Sequence, residues 1–200
     1  MRFLQNNAGQ QSTGRGATAI FAVTAFVYPF LVYLLHERVS FFVFALGASL
    51  LLLLRACFAS TGILALLRLP LVIAAGALAA LSMVDAALAA KAYPALISLM
   101  IAALFANSLR RPPSLIERMA RMREPDLSPS GQSYCRRLTW VWTAWLVANA
   151  AIAAGLAATH SLSLWALWTG LVSYLCTGML FFGEMLVRSW LLRTYWGQDA

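Results

Sequence analysis

The chain has 200 residues, of which 62% are hydrophobic and 11% charged, and its mean hydropathy is +0.75. Soluble domains usually carry about a quarter charged residues and about half apolar residues. A single core of this size cannot hide so many apolar side chains from water, so lipid must surround most of the surface. The composition therefore excludes a soluble enzyme.

The first 16 residues are polar where a signal peptide would place its apolar centre. We expect residues 1–16 to be a cytoplasmic tail and the first helix to act as its own insertion signal.

Charge-free apolar runs of about 18 residues predict membrane-spanning helices. Four runs meet this criterion: Ala17–Leu35, Ala92–Leu109, Leu138–Ala158 and Ser161–Gly183. The stretch between the first two is too long for one span, and it predicts two further helices near residues 39–58 and 69–89. The predicted fold is all-α: a polytopic membrane protein of six transmembrane helices forming a single integral domain over residues 1–200.

The distribution of basic residues predicts the orientation of these helices. With the N-terminus inside, thirteen of the 15 Arg and Lys residues fall on the cytoplasmic side, and only Arg38 and Lys91 fall outside. This bias follows the positive-inside rule and explains the net charge of +8 without nucleic acid. We predict a membrane protein with both termini cytoplasmic, the C-terminal tail being residues 189–200.

One long polar segment, residues 110–137, interrupts the hydrophobic pattern between the fourth and fifth spans. Ser114 and Glu117 have the spacing of a capping box directly after two prolines, which predicts a short helix. Its apolar residues, including Met119 and Met122, lie on one stripe, so we predict an amphipathic helix on the inner leaflet. Asp126 to Gly131 is turn chemistry that returns the chain to the membrane.

This segment has two interpretations: a charged connector that sets the topology, or a surface that binds anionic lipid and cytosolic partners. The residues predicted for lipid or partner binding are Arg110, Arg111, Glu117, Arg118, Arg121, Arg123, Arg136 and Arg137.

Ionisable residues inside the membrane are candidates for function. Asp85 is predicted near the outer end of the third span and Lys91 in the turn that follows, where the two form either a structural ion pair or part of a site. Glu184 and Arg188 have the i, i+4 spacing of a helix ion pair at the inner end of the last span.

The dipeptide Tyr-Pro occurs at Tyr28 and again at Tyr93, both in the outer half of the predicted bilayer. A proline frees a carbonyl in its helix, and a tyrosine hydroxyl is a suitable partner. The two dipeptides either line an outward-facing cavity near Asp85 or coincide by chance. Asn149, in the fifth span, is expected to bond a neighbouring helix.

The sequence contains no recognisable catalytic motif or metal-ligand spacing, so we predict no cofactor and no metal. Cys57, Cys135 and Cys176 are interpreted as packing residues. Tryptophans near the ends of the last two spans indicate either interfacial anchors or helix packing; they are Trp140, Trp142, Trp165 and Trp168.

The second half of the chain resembles a family of small bacterial inner-membrane proteins encoded beside aryl-polyene and xanthomonadin-type pigment genes. The resemblance covers residues 91–190 and rests on the segments 91–94, 108–118 and 123–127, together with isolated positions from Tyr134 to Arg188. The family has no established activity. The resemblance implies a role in synthesis or outward delivery of an aryl-polyene lipid.

Three hypotheses follow. The first is a non-enzymatic accessory protein that recruits acyl-carrier or acyl-processing proteins through residues 110–137, because acyl carriers are acidic helical proteins. The second is a small transporter or flippase component that uses Asp85 and the Tyr-Pro pair. The third is a membrane-embedded transferase with a site at Lys91, Asp85 or Glu184.

Overall fold

The computed structural model describes residues 23–58, 65, 67–159 and 161–195, and for residues 189–195 it describes the backbone alone. The predicted cytoplasmic tail 1–16 lies outside the described residues, and so do residues 196–200 of the predicted C-terminal tail. Within the described part, the chain is helical and has no strand.

Eight helical segments follow one another in the described residues, the last two joined by a π-helical turn at Trp168–Val172. They are α1 (Val23–Leu35), α2 (Phe41–Phe58), α3 (Arg68–Ser82), α4 (Ala86–Arg110), α5 (Leu115–Arg121), α6 (Pro129–Ala158), α7 (Leu162–Leu167) and α8 (Ser173–Tyr195).

Four helices of the described chain are long and apolar enough to cross a membrane: α2, α4, α6 and the continuous helix Leu162–Arg188. The other two predicted spans correspond to α1 and α3. The described part of α1 is Val23–Leu35. Helix α3 has 15 residues, or about 22 Å, against about 30 Å of hydrocarbon.

The third and fourth helices meet earlier in the chain than the sequence predicts. Helix α3 ends at Ser82, and Asp85 is the N-cap of α4, where its carboxylate accepts a hydrogen bond from the Leu88 amide at 2.8 Å. The placement of Asp85 inside the third span is therefore wrong. An aspartate side chain satisfies a free first-turn amide better than it continues a helix, so the chain turns before it.

Helix α6 also begins earlier than predicted, at Pro129 instead of Leu138. Ser128 is its N-cap and accepts from the Gly131 amide at 3.2 Å, and Pro129 occupies the first helical position. Proline is favoured there because its missing amide hydrogen would have no intrahelical partner. The turn predicted over residues 126–131 is therefore only partly correct, since its second half is helix.

Helix α4 is at the centre of the bundle, where it packs against α2, α3 and α6. Small residues on its face, such as Ala89 and Ala90, are fully buried and allow close approach of neighbouring helices. The core also includes Leu52 of α2, Leu78 of α3 and Trp165 of α7. This arrangement fixes the start of α5, which packs against α4 and α6.

Candidate functional site

The segment 110–137 is an ordered platform and not an extended loop. Ser114 caps α5 with an extended backbone, and the Glu117 carboxylate accepts from the Ser114 amide at 3.3 Å. The predicted short helix and its capping box are confirmed, since the Ser114 side chain also faces the Glu117 amide. That second contact does not meet hydrogen-bond geometry, so the buried Ser114 hydroxyl has no hydrogen-bond partner in the described chain.

A second contact ties α5 to the end of α4. The Ser108 hydroxyl donates to the Phe105 carbonyl at 2.7 Å and accepts from the Leu115 amide at 2.9 Å. Leu115 is buried below it, while Met119 and Met122 are 54% and 75% exposed. The apolar stripe predicted for this helix is therefore only partly buried: Leu115 is packed inside, and the two methionines lie on the surface.

Three of the eight residues predicted to bind partners, Glu117, Arg118 and Arg121, are engaged within the platform itself. The Arg118 guanidinium donates to the carbonyls of Pro113 and Arg111, at 2.8 and 3.1 Å. Two guanidinium nitrogens of Arg121 donate hydrogen bonds to the same Glu117 carboxylate oxygen, at 3.0 and 2.8 Å. A carboxylate so paired stabilises the folded segment and is not open to a ligand.

Five arginines of the platform remain exposed and make no hydrogen bond or ion pair with another described residue through their side chains: Arg110, Arg111, Arg123, Arg136 and Arg137. They flank the α4–α5 connection, the end of α5 and the first turns of α6. The structure therefore separates the predicted binding residues into a structural set and a free set.

An open cleft of about 770 Å³ lies between the α4–α5 connection and the start of α6. One side consists of Pro112 and Pro113, with the Glu117–Arg121 pair beside them. On α6, the cleft is lined by Pro129, Gln132, Ser133 and Arg136. The Gln132 amide group donates to the Leu127 carbonyl at 2.9 Å, which holds the chain entering α6.

Cys135 lies just before the predicted span Leu138–Ala158 and is buried. Burial raises the pKa of its thiol, and nearby Glu117 raises that pKa further. Glu184 and Arg188 also act on this thiol and on the Tyr134 hydroxyl, so this part of the last helix lies beside the platform. A buried thiol with a raised pKa is a packing residue and not a nucleophile, as the sequence predicts.

At the opposite end of α4, the expected ion pair is replaced by other contacts. Asp85 and Lys91 form no ion pair in the described chain; the Lys91 ammonium donates to the Thr159 carbonyl at 3.0 Å instead. Lys91 lies within α4 because Asp85 already starts that helix. Glu184 and Arg188 likewise form no ion pair with each other in the part of α8 whose side chains are described.

The two Tyr-Pro dipeptides meet inside the bundle. The rings of Tyr28 and Tyr93 are in contact at a centroid distance of 4.8 Å, and each residue is 4% exposed. The Tyr28 hydroxyl donates to the Ala90 carbonyl at 2.8 Å, which is the carbonyl that Pro94 leaves without an amide donor. The pair therefore packs within protein and does not open to the outside.

Further polar contacts join α4, α6 and the last helix. The Asn149 amide donates to the Ser98 hydroxyl at 3.0 Å and accepts from the Trp168 indole at 3.1 Å. The Trp165 indole, fully buried, donates to the Lys91 carbonyl at 3.0 Å. Asn149 thus bonds neighbouring helices as the sequence predicts. Trp165 and Trp168 follow the packing interpretation, whereas Trp140 is 58% exposed.

No group of His, Cys, Asp or Glu in the described residues has the geometry to hold a metal ion. No protein-family model, curated protein or solved structure matches this chain. Among the described residues, the platform is the candidate functional surface.

Proposed function

We propose that this chain is a non-enzymatic accessory protein of the bacterial inner membrane that holds cytosolic partners at the membrane through the platform, residues 110–137. In this proposal the chain crosses the membrane six times and both termini are cytoplasmic. Helices α1 and α3 then join the four long apolar helices as spans. The excess of arginine on the platform side supports this orientation.

The observation that carries the proposal is that two arginines of the platform bond within it, whereas five others have no side-chain partner among the described residues. Arg118 and Arg121 hold the platform rigid through bonds to Pro113 and Glu117. The five free arginines then project from an ordered surface. A topology signal requires only positive charge, whereas an ordered surface of one charge also selects partners of opposite charge and speeds their encounter.

The partner class follows from this charge. An acidic helical protein, such as an acyl carrier, is complementary to the free arginines, and enzymes that process its acyl group are the associated partners. The resemblance of residues 91–190 supports a pathway that makes or exports an aryl-polyene lipid. The exposed Met119 and Met122 are suited to rest in the inner leaflet beside the platform.

Partner binding is tested with the full chain in detergent and an acidic acyl carrier protein as the probe. Replacing Arg123 and Arg137 with Gln removes two free charges without touching the cleft, and we expect about tenfold weaker binding, mainly through a slower on-rate. The matched control replaces Arg2 and Arg15 with Gln, which removes the same charge elsewhere. Equal weakening in both double variants would show that net charge, and not the platform, attracts the carrier.

A further inference from the structure

The cleft beside α5 combines a rigid wall with one arginine that has no internal partner. Pro112 and Pro113 form a wall without backbone donors. The charge of Glu117 is balanced by Arg121 at 2.8 Å. Arg136 therefore leaves the cleft with one positive charge that no described residue neutralises. The chemistry of the cleft therefore favours binding of an anion.

The position of the cleft along α6 indicates where that anion comes from. Arg136, in the cleft, precedes Leu138, where the predicted hydrocarbon span begins, by two residues, or about 3 Å of helix. The headgroup layer extends about 5–8 Å beyond the hydrocarbon on each side of a bilayer. With α6 crossing the membrane, the cleft opens at the level of the lipid headgroups.

We infer that this cleft binds the phosphate of an anionic phospholipid of the inner leaflet, with Arg136 as the main donor and the exposed Ser133 hydroxyl beside it. The planar guanidinium gives two parallel N–H donors, which match two phosphate oxygens. The cleft is open on one side, and its volume of about 770 Å³ is large enough for a lipid headgroup. The inference rests on the proposed orientation of the chain but on no protein partner.

Arg136 and Arg137 provide a matched comparison. They are adjacent, both exposed and equally charged, but only Arg136 lines the cleft. Native mass spectrometry of the full chain in mild detergent, titrated with phosphatidylglycerol, measures binding directly. We expect Arg136→Gln to weaken binding about tenfold and Arg137→Gln to change it less than about twofold. Helical content should be unchanged in both variants, because neither side chain has a partner in the described chain.

Three results would overturn the inference. Equal weakening by both substitutions would show attraction by the general charge, and no weakening by Arg136→Gln would show that the cleft is not the site. Displacement of the lipid by excess glycerol 3-phosphate would show a site for free phosphate esters. Phosphatidylcholine, which has no net charge, should bind more weakly than phosphatidylglycerol. The acyl carrier is absent, so this result is independent of partner binding.

Discussion

Pro94 removes one amide donor from the interior of α4, and a tyrosine from another helix compensates for it. The Ala90 carbonyl would otherwise be an unsatisfied acceptor in a buried part of the bundle. Tyr28 supplies the missing donor at 2.8 Å. The two tyrosines that look alike in the sequence therefore have different roles: Tyr28 is a donor, and Tyr93 packs against its ring.

Tyr28→Phe should lower the stability of the protein in detergent by about 1–2 kcal/mol, because it leaves the Ala90 carbonyl without a partner. Thermal unfolding followed by circular dichroism measures this loss. Tyr33→Phe is the control, since Tyr33 lies on the same helix and is exposed.

A double-mutant cycle with Pro94→Ala tests the cause. Alanine restores an amide at position 94 that can bond to Ala90 within the helix. In that background, Tyr28→Phe should cost clearly less than in the natural chain. An unchanged cost would mean that Tyr28 stabilises the bundle through packing alone.

At the scale of elements, Gly170 sets how closely α1 approaches the last helix. An added Cβ would lie 2.9 Å from two carbons of the Phe30 ring. One turn further along, Phe26 contacts Tyr174 at a centroid distance of 5.0 Å. The π-helical turn Trp168–Val172 therefore contains the position at which the Phe30 ring of α1 packs close to the backbone of the last helix.

Gly170→Ala should destabilise the protein by about 1–3 kcal/mol through overpacking against Phe30. Gly178→Ala is the matched control, because nothing lies within 4 Å of its added Cβ, and it should be neutral or stabilising. Combining Gly170→Ala with Phe30→Leu should recover part of the loss in thermal unfolding. A loss that persists in the pair would place the cause in the π-helical turn itself.

The Glu117–Arg121 pair is the link that keeps α5 attached to its own C-terminal turn, since Arg121 also reaches the Pro125 carbonyl at 3.4 Å. Glu117→Gln should weaken this link and make trypsin cleave the platform severalfold faster, as expected when local opening becomes easier. Glu124→Gln, at an exposed position without a described partner, is the control. Equal cleavage rates for the two variants would show that the pair does not limit opening.

The sequence predicts the short helix α5 well because its signals are local: the prolines, the cap at Ser114 and Glu117 three residues later. It fails at Asp85, where a charge in an apolar stretch has two possible meanings, a buried group or a helix cap. Local sequence cannot separate these, since the difference lies in where the chain turns. The bond from Tyr28 to Ala90 joins residues 62 positions apart, and only the fold shows it.

The sequence alone also cannot show which arginines of the platform are free to bind a partner. Arg118 and Arg121 resemble Arg123 in sequence, but the first two have backbone or carboxylate acceptors within the platform. These acceptors lie four to seven residues away in the sequence, so the local fold of the platform decides which charges remain available. Composition alone gives the membrane class, whereas the choice of binding residues depends on these acceptors.

At the scale of the whole molecule, the six-span topology remains a prediction that labelling can test. In a background with Cys57, Cys135 and Cys176 replaced by Ala, a cysteine at Ser130 should react with an impermeant maleimide only from the cytoplasm. A cysteine at Val84, which is 87% exposed in the turn before α4, should react only from the periplasm. Labelling of both positions from the same side would contradict the single crossing, by α4, that the six-span topology places between them.

Two consecutive carbonyls of α4, those of Ala90 and Lys91, are bonded by side chains from opposite ends of the chain. Tyr28 of α1 is made early in synthesis, and Trp165 of α7 is made last among these helices. Synthesis proceeds from the N-terminus, so Tyr28 is available to α4 as soon as that helix is made, whereas Trp165 is available only after α7 is made. The indole bond to the Lys91 carbonyl is therefore a late step in completing the bundle.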